Sequence, residues 1–450
     1  MCSPQDILTW AKQQEWDLWV NFGFNTPKSD DVDANTCKNI SEVGTYLHKK
    51  FDKGIYGKSP VVKFYNKRMP NKHNSELEIL AHGKWEDKNA TRGSGGYDSI
   101  SSTTKALPVI RQDWIPTNDT GLYMYQPSHP KINVSAQEEY ELVEGESKHW
   151  VEDEDEEGVE RKTVDKITTY NLFPKFQPFK MVDAHNEYWS YIKSKKPTYY
   201  TADVPWSEVL KPGELPTRTS IGTRWWRLNN TDGNIFMHHE ATQDYSGYGF
   251  SHLYFGKRHS TFSWHVEPAD IPSVSVLHAG APKLWYTIHE SYLKALEEFL
   301  WPKISDRKNV HRCCNFFEHR WTLYDPVQLM RDFQRTVDSQ FAITAIVQAP
   351  GIHVFVPKKT PHWGHSTGNN IGEALGVCTK RTAEYLRTNE PPACPYEAAD
   401  DEEGESLELA SAHTSSFVLD RPRVPARTPQ QRFYRKPVSK LFRRFKGGRH

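Results

Sequence analysis

Apolar residues along this chain fall into short runs. Between about residues 165 and 390, segments such as Ser251 to Phe255, Ser273 to His278, Lys283 to Ile288 and Ile352 to Pro357 are bounded by Gly and Pro, the punctuation expected of β-strands. Two helices interrupt them. Ser291 is placed to cap one that carries Leu293, Leu296, Phe299 and Leu300 on a single face, and Asp325-Pro326 opens the other. An acceptor side chain followed by a residue pre-set for the first helical turn is a start signal. Several short strands with few helices predict a mainly β architecture, a β-barrel or jelly roll with flanking helices. The first 130 residues are harder to parse. Leu8, Ala11, Trp16 and Trp19 recur at loosely helical spacing within Ile7 to Val20, and NATRGSGGYDSISSTT (89–104) reads as a loop. The region is either a small aromatic-rich module or an extension packed on the main domain.

Composition limits how much of the chain can pack. Of 450 residues, 37% are hydrophobic, with 29 Pro and 26 Gly, so one sizeable domain with polar appendages is expected rather than three packed ones. Charge balances at 57 basic against 57 acidic residues but is segregated along the chain. Residues 138–160 are acidic and include the run Glu152 to Glu157, which repels itself and marks a solvated linker. A second acidic cluster, Asp400 to Glu408, precedes a stretch from Arg421 to His450 with 11 Lys or Arg and no Asp or Glu. That tail reads as disordered, and its basic end as a nuclear localisation signal or a contact for DNA phosphates. The expected organisation is an N-terminal region of unknown fold (1–130), an acidic linker (131–165), a catalytic domain (166–390) and a disordered tail (391–450). The apolar runs fall far short of the roughly 20 residues that cross a bilayer, and MCSPQDILTW lacks the charged head and apolar core of a signal peptide. Six Cys are too sparse for a disulfide scaffold, which fits a reducing compartment without membrane attachment.

The candidate chemistry begins in TFSWHVEPAD, where one residue separates His265 from Glu267. On a strand, residues two apart point to the same face, so imidazole and carboxylate converge. PHWGHSTGNN adds His362 and His365 just after another strand-like run. Two His and one carboxylate on one face of an ion suit a non-haem Fe(II) oxygenase, although a Zn²⁺ hydrolase draws on the same ligand types.

The surrounding sequence separates these readings. LYFGKRHSTFSWHVEPADIPSVSVLHAGAPKLWY, from Leu253 to Tyr286, closely resembles the JmjC (Jumonji) family of Fe(II)- and 2-oxoglutarate-dependent oxygenases, nearest to the subfamily that demethylates trimethylated histone lysines. The resemblance continues through H-x-G-x-x-x-G-x-N-x-x-E at His362, Gly364, Gly368, Asn370 and Glu373, which selects His362 over His365. It reaches back to DAHNEYWSYIKSKKPTYYTADV and covers roughly residues 180–390. It implies a double-stranded β-helix of the jelly-roll or cupin type, with iron held by His265, Glu267 and His362. The far carboxylate of 2-oxoglutarate would meet Lys283 and Tyr200, with Tyr199 the alternative under a one-residue slip. A buried dianion without a paired cation would be costly, which gives Lys283 a physical reason to be there. Phe262 and Trp285 match pocket-lining aromatics, and Tyr254 matches a ring that faces the substrate cation.

The implied activity is oxidative removal of N-methyl groups from histone lysines, with O₂ as oxidant and formaldehyde and succinate as products. The implied partners are methylated histone tails, and the implied location is the nucleus. Three positions depart from the subfamily pattern: Ser275 stands in place of Asn, and Ala374 and Gly376 in place of Ser and Asn. These keep a protein hydroxylase and a non-catalytic chromatin-binding module open as alternatives. The subfamily also binds structural zinc. Cys313, His319 and Cys394 keep three ligand positions, Pro392 occupies the fourth, and Cys314 or Cys378 would have to substitute.

Overall fold

The computed structural model describes residues 4–32, 37, 40–66, 106–127, 132–135, 180–205, 251–267, 271–304, 317, 320, 322–368 and 370–377. The expectations for 89–104, the acidic segment 138–160, the cluster 400–408 and the basic end lie outside them. Helix α1 (Pro4–Phe22) is followed by β1 (Lys28–Val32), α2 (Ile40–Asp52), β2 (Val62–Asn66), β3 (Ala106–Pro116), β4 (Leu122–Pro127) and β5 (Ile132–Ser135). Next come α3 (Met181–Lys193), β6 (Thr198–Pro205), β7 (His252–Gly256), β8 (Thr261–His265), β9 (Ser273–Gly280) and β10 (Lys283–Thr287). The remaining elements are α4 (Leu293–Ile304), β11 (Thr322–Tyr324), α5 (Pro326–Thr336), β12 (Thr344–Gln348), β13 (His353–Val356), β14 (His362–Ser366) and β15 (Asn370–Gly376).

Two sheets result. The larger runs β1-β2-β13-β9-β15-β7-β6-β3-β4-β11, with β5 beside β3, and the smaller runs β12-β10-β14-β8. From β7 to β10, and again from β12 to β15, each successive strand crosses to the other sheet. This alternation is that of a double-stranded β-helix, the jelly roll expected from the sequence. Strands β10, β12 and β14 are buried along their whole length, so both faces must be apolar or paired. On the outer face Leu284, Tyr286, Val347 and Trp363 join a core with Leu8, Leu18, Tyr188, Leu300 and Phe333 from the helices. On the inner face Phe262, Trp285 and Ile346 meet Val354 and Val356 of the opposite sheet.

The first 130 residues contribute directly to this framework, because β2 pairs with β13, and β3 with β6. Their described part is thus an extension of the barrel sheet. Helix α1 lies against β12 and α3, and of the residues at helical spacing Leu8 and Ala11 are buried while Trp16 and Trp19 are not. Trp16 and Trp19 are 52% and 44% exposed and pack on each other at 4.5 Å, whereas Gln14 and Glu15 are buried. The reason is pairing. Glu15 binds the fully buried Lys63 Nζ at 2.6 and 2.7 Å and accepts from Val347 N at 2.8 Å, and Gln14 Oε1 accepts from Met181 N at 2.9 Å. Ser291 also differs from expectation. It lies inside a 3₁₀ turn (Glu290–Tyr292) whose cap is His289, with Nδ1 accepting from Ser291 N at 3.2 Å. Asp325 does cap α5, accepting from Val327 N at 2.9 Å. None of the described helices is long and apolar enough to cross a membrane.

Candidate metal centre

Strands β8 and β14 pair antiparallel with His265 opposite His362, but farther along Phe262 lies opposite Gly364. Three residues on β8 therefore face two on β14, a β-bulge. It turns Phe262 and His265 to the same inner face and leaves Trp264 on the outer one with Trp363. The two imidazoles stand 4.0 Å apart between ring centroids, and Glu267 Oε1 lies 3.7 Å from His362 Nε2. Among the described residues one group of three metal-ligating side chains converges, His265, Glu267 and His362, with all ligand atoms within 4.8 Å of one another.

Hydrogen bonds set the state of the two imidazoles and of the carboxylate. His265 Nδ1 meets Ser263 O at 2.7 Å and His362 Nδ1 meets Thr360 O at 2.9 Å. A carbonyl only accepts, so both Nδ1 atoms carry the proton and both Nε2 lone pairs are left for a cation. Burial holds both imidazoles neutral by pushing their pKa values down, helped at His265 by the charges of His362 and Arg320 and opposed at His362 by Glu267. Ser273 Oγ donates to Glu267 Oε1 at 2.6 Å and fixes the carboxylate. Trp285 stacks on His362 at 5.9 Å and 16°, and Phe262 meets Trp285 edge-on at 4.6 Å, so rings wall the centre. This donor set suits a divalent transition metal with open positions. His365 points to the outer face and stacks on Tyr188 at 3.9 Å.

Beside the centre lies Lys283, 4% exposed, two residues before Trp285 and on the same face of β10. Its Nζ is 5.8 Å from the centroid of Tyr200 and 5.7 Å from that of Tyr254. It has no hydrogen-bond or ion-pair partner among the described residues, and burial pushes its pKa down to about 8. A Cβ at Gly372 would stand 3.1 Å from this Nζ, so the glycine gives the ammonium its room. Of the two candidate tyrosines, Tyr200 has its ring by Lys283, and by alternation Tyr199 faces the other way. A buried cation flanked by two phenols, with no anionic partner among the described residues, is suited to receive a carboxylate or phosphate.

The sequence reading did not single out Ser273 or Gln348. Ser273 is one hydroxyl among many, but Gln348 is the lone polar end of an apolar strand, TAIVQ, and that contrast is a usable signal. Ser275 and Ala374 face each other across the β9–β15 ladder, and Gly376 faces Ser273. Cys313, His319 and Cys394, the zinc candidates, lie outside the described residues, as do Cys314 and Cys378.

Residues 252–377 match the family model described as "JmjC domain, hydroxylase". Similar curated proteins include "Probable lysine-specific demethylase 4F" of Homo sapiens, 26% identical over 226 residues, covering 49% of this chain and 31% of that protein. "Probable lysine-specific demethylase SE14" of Oryza sativa subsp. japonica is 28% identical over 216 residues, covering 43% of this chain and 14% of its own. "Lysine-specific demethylase ELF6" of Arabidopsis thaliana is 30% identical over 168 residues, covering 35% and 12%. The chain thus spans less than a third of the length of each of these relatives. The stretch similar to the JmjC domain, residues 252–377, contains the His265–Glu267–His362 cluster and Lys283.

Proposed function

We propose that this centre belongs to an Fe(II)- and 2-oxoglutarate-dependent dioxygenase that demethylates histone lysines, releasing formaldehyde and succinate. One observation carries the reading: two neutral imidazoles with free Nε2 atoms and a carboxylate converge beside a buried ammonium that has no anionic partner among the described residues. His265, Glu267 and His362 are assigned to iron, and Lys283 and Tyr200 to the distal carboxylate of the oxo acid. Bound there, ferrous iron with the oxo acid and O₂ supplies the oxidising power for hydroxylating an N-methyl group. The protein's share is to hold, orient and keep dry. Ser273 aims the Glu267 carboxylate, Phe262 and Trp285 exclude water, and Tyr254 offers a ring face to a methylammonium. The relatives named as lysine-specific demethylases support a methyl-lysine substrate. A histone substrate places the protein in the nucleus, where the basic sequence 421–450 would add attraction to DNA phosphates.

The test is oxidation of methylated histone peptides by purified protein with Fe(II), ascorbate and 2-oxoglutarate, read by mass. Loss of a methylene with equimolar formaldehyde and succinate is expected, and His265→Ala should abolish it. A second reading, protein hydroxylation, is favoured by one feature. Ser275 Oγ is turned to Gln348 Nε2 at 3.4 Å, and Ala374 and Gly376 add no polar atom, so groups that would orient a methyl-lysine head are missing. Gain of one oxygen without formaldehyde would decide for it. Peptide binding that survives His265→Ala, without any turnover, would point to a non-catalytic reader instead.

A further inference from the structure

We infer that Gln348 is a positioning residue for the metal centre and acts through Trp285. The inference rests on the metal reading above and concerns a residue that touches no ligand atom. Gln348 ends β12, is fully buried, and lies opposite Lys283 in the β10–β12 ladder. Its Oε1 accepts from Trp285 Nε1 at 2.9 Å. Its Nε2 donates to Ser275 O and to Ile352 O, each at 3.2 Å, with Ser275 Oγ at 3.4 Å. Every polar atom of the amide is used. The orientation is fixed as well, because a flipped amide would set N–H against the indole N–H and oxygen against two carbonyls. The side chain therefore ties the smaller sheet, through β10 and β12, to β9 and the 349–352 turn of the larger one.

This tie bears on the third ligand. Trp285 lies nearly parallel to His362 and offset beside it, with centroids 5.9 Å apart at 16°, and is braced edge-on by Phe262 at 4.6 Å. The His362 ring is held by a single hydrogen bond, Nδ1–H to Thr360 O at 2.9 Å, about which it can still rock. The offset indole stops that motion, and the indole plane is set by the bond from Nε1–H to Gln348. With Gln348 gone, a buried N–H loses its acceptor and the indole turns to find another. His362 Nε2 then loses its aim. Groups hydrogen-bonded to metal ligands typically account for about 10–100-fold in metal affinity, and Gln348, one contact farther out through Trp285, is expected at the low end, about tenfold.

The experiment titrates Mn(II), followed by the electron paramagnetic resonance of the free ion, and records the visible spectrum with Co(II). It uses the full chain and its Gln348→Met, Trp285→Phe and doubly substituted forms. Gln348→Met is expected to weaken Mn(II) binding by about tenfold and to shift the Co(II) bands. The double variant should bind no more weakly than the weaker single one. Unchanged affinity and spectrum with a lowered melting temperature would make Gln348 purely structural and overturn the inference, as would losses that simply add. If Gln348→Met yields no soluble protein, Trp285→Phe decides alone, since it leaves β12 intact, and unchanged affinity and spectrum there also overturn the inference. No binding by the unaltered protein would overturn the metal reading itself, whereas binding there with an unaffected Gln348→Met sinks only the positioning role.

Discussion

Replacing Lys283 with methionine should strengthen the ligand-free fold while destroying its affinity for a dicarboxylate. Burial lowers the Lys283 pKa from 10.5 to about 8, a drop of about 2.5 pH units. Each pH unit of such a drop corresponds to about 1.36 kcal/mol. At pH 7 the ammonium is charged both folded and unfolded, so the folded state carries the whole desolvation cost, about 3 kcal/mol. Between about pH 8 and 10.5 the unfolded chain binds more protons than the folded one, and stability rises with pH across that window. The Lys283→Met protein, similar in length and apolar, should therefore be up to about 3 kcal/mol more stable at pH 7, with the gap closing as pH approaches 10.5. Urea denaturation of both proteins at a series of pH values measures this, and taking the difference removes tyrosines that titrate in the same range. Saturating 2-oxoglutarate should reverse the order, since it stabilises only the protein that retains the ammonium. A Lys283→Met protein no more stable at pH 7, with a gap that ignores pH, would refute the reasoning, because it would mean the ammonium is hydrated.

Three further outcomes are expected. Glu15→Gln strands the Lys63 ammonium in the core, fully buried in the folded chain, and should lower the urea-unfolding free energy by about 3–5 kcal/mol. Gly364→Ala places a Cβ 2.5 Å from Leu284 O and 2.5 Å from the Phe262 ring; overpacking of that kind costs about 1–3 kcal/mol and should show as a lower melting temperature. Mn(II) at about a hundred times its dissociation constant should stabilise the unaltered protein by about 2.7 kcal/mol and leave His265→Ala unmoved in the same calorimetric scan.

The barrel, and the approach of His265, Glu267 and His362 to one another, were legible because strand patterning is a strong local rule. His265 ends β8 and Glu267 lies just beyond the strand, so the two converge at its edge rather than by alternation within it, whereas Gly- and Pro-bounded apolar runs located β7, β9, β10 and β13. The bulge in β8 was not legible, since it is imposed by pairing with β14 and brings together Phe262 and His265, three residues apart. Helix α1 was legible as a helix, but its buried polar face was not, for a related reason. The spacing of Leu8, Ala11, Trp16 and Trp19 carries no sign that Glu15 and Gln14 are the buried ones beside two exposed rings, because they are stabilised by Lys63, Val347 and Met181, partners remote in sequence. Strand β1, KSDDV, carries no apolar alternation at all and owes its form to β2 alongside it. Ser291 lost its capping role to His289 because the chain enters α4 through a 3₁₀ turn rather than directly.

The pairing of β2 along β13, with Phe64 opposite His353, has a practical consequence for anyone cutting this gene into fragments. A recombinant piece begun near residue 166 would strip the cover from His353–Phe355, exposing a row of unsatisfied amides and carbonyls, the kind of bare margin onto which other copies zip. It would also remove Glu15 from the amide of Val347. Such a truncate should precipitate however intact His265, Glu267 and His362 are, and the shortest workable piece has to begin ahead of α1.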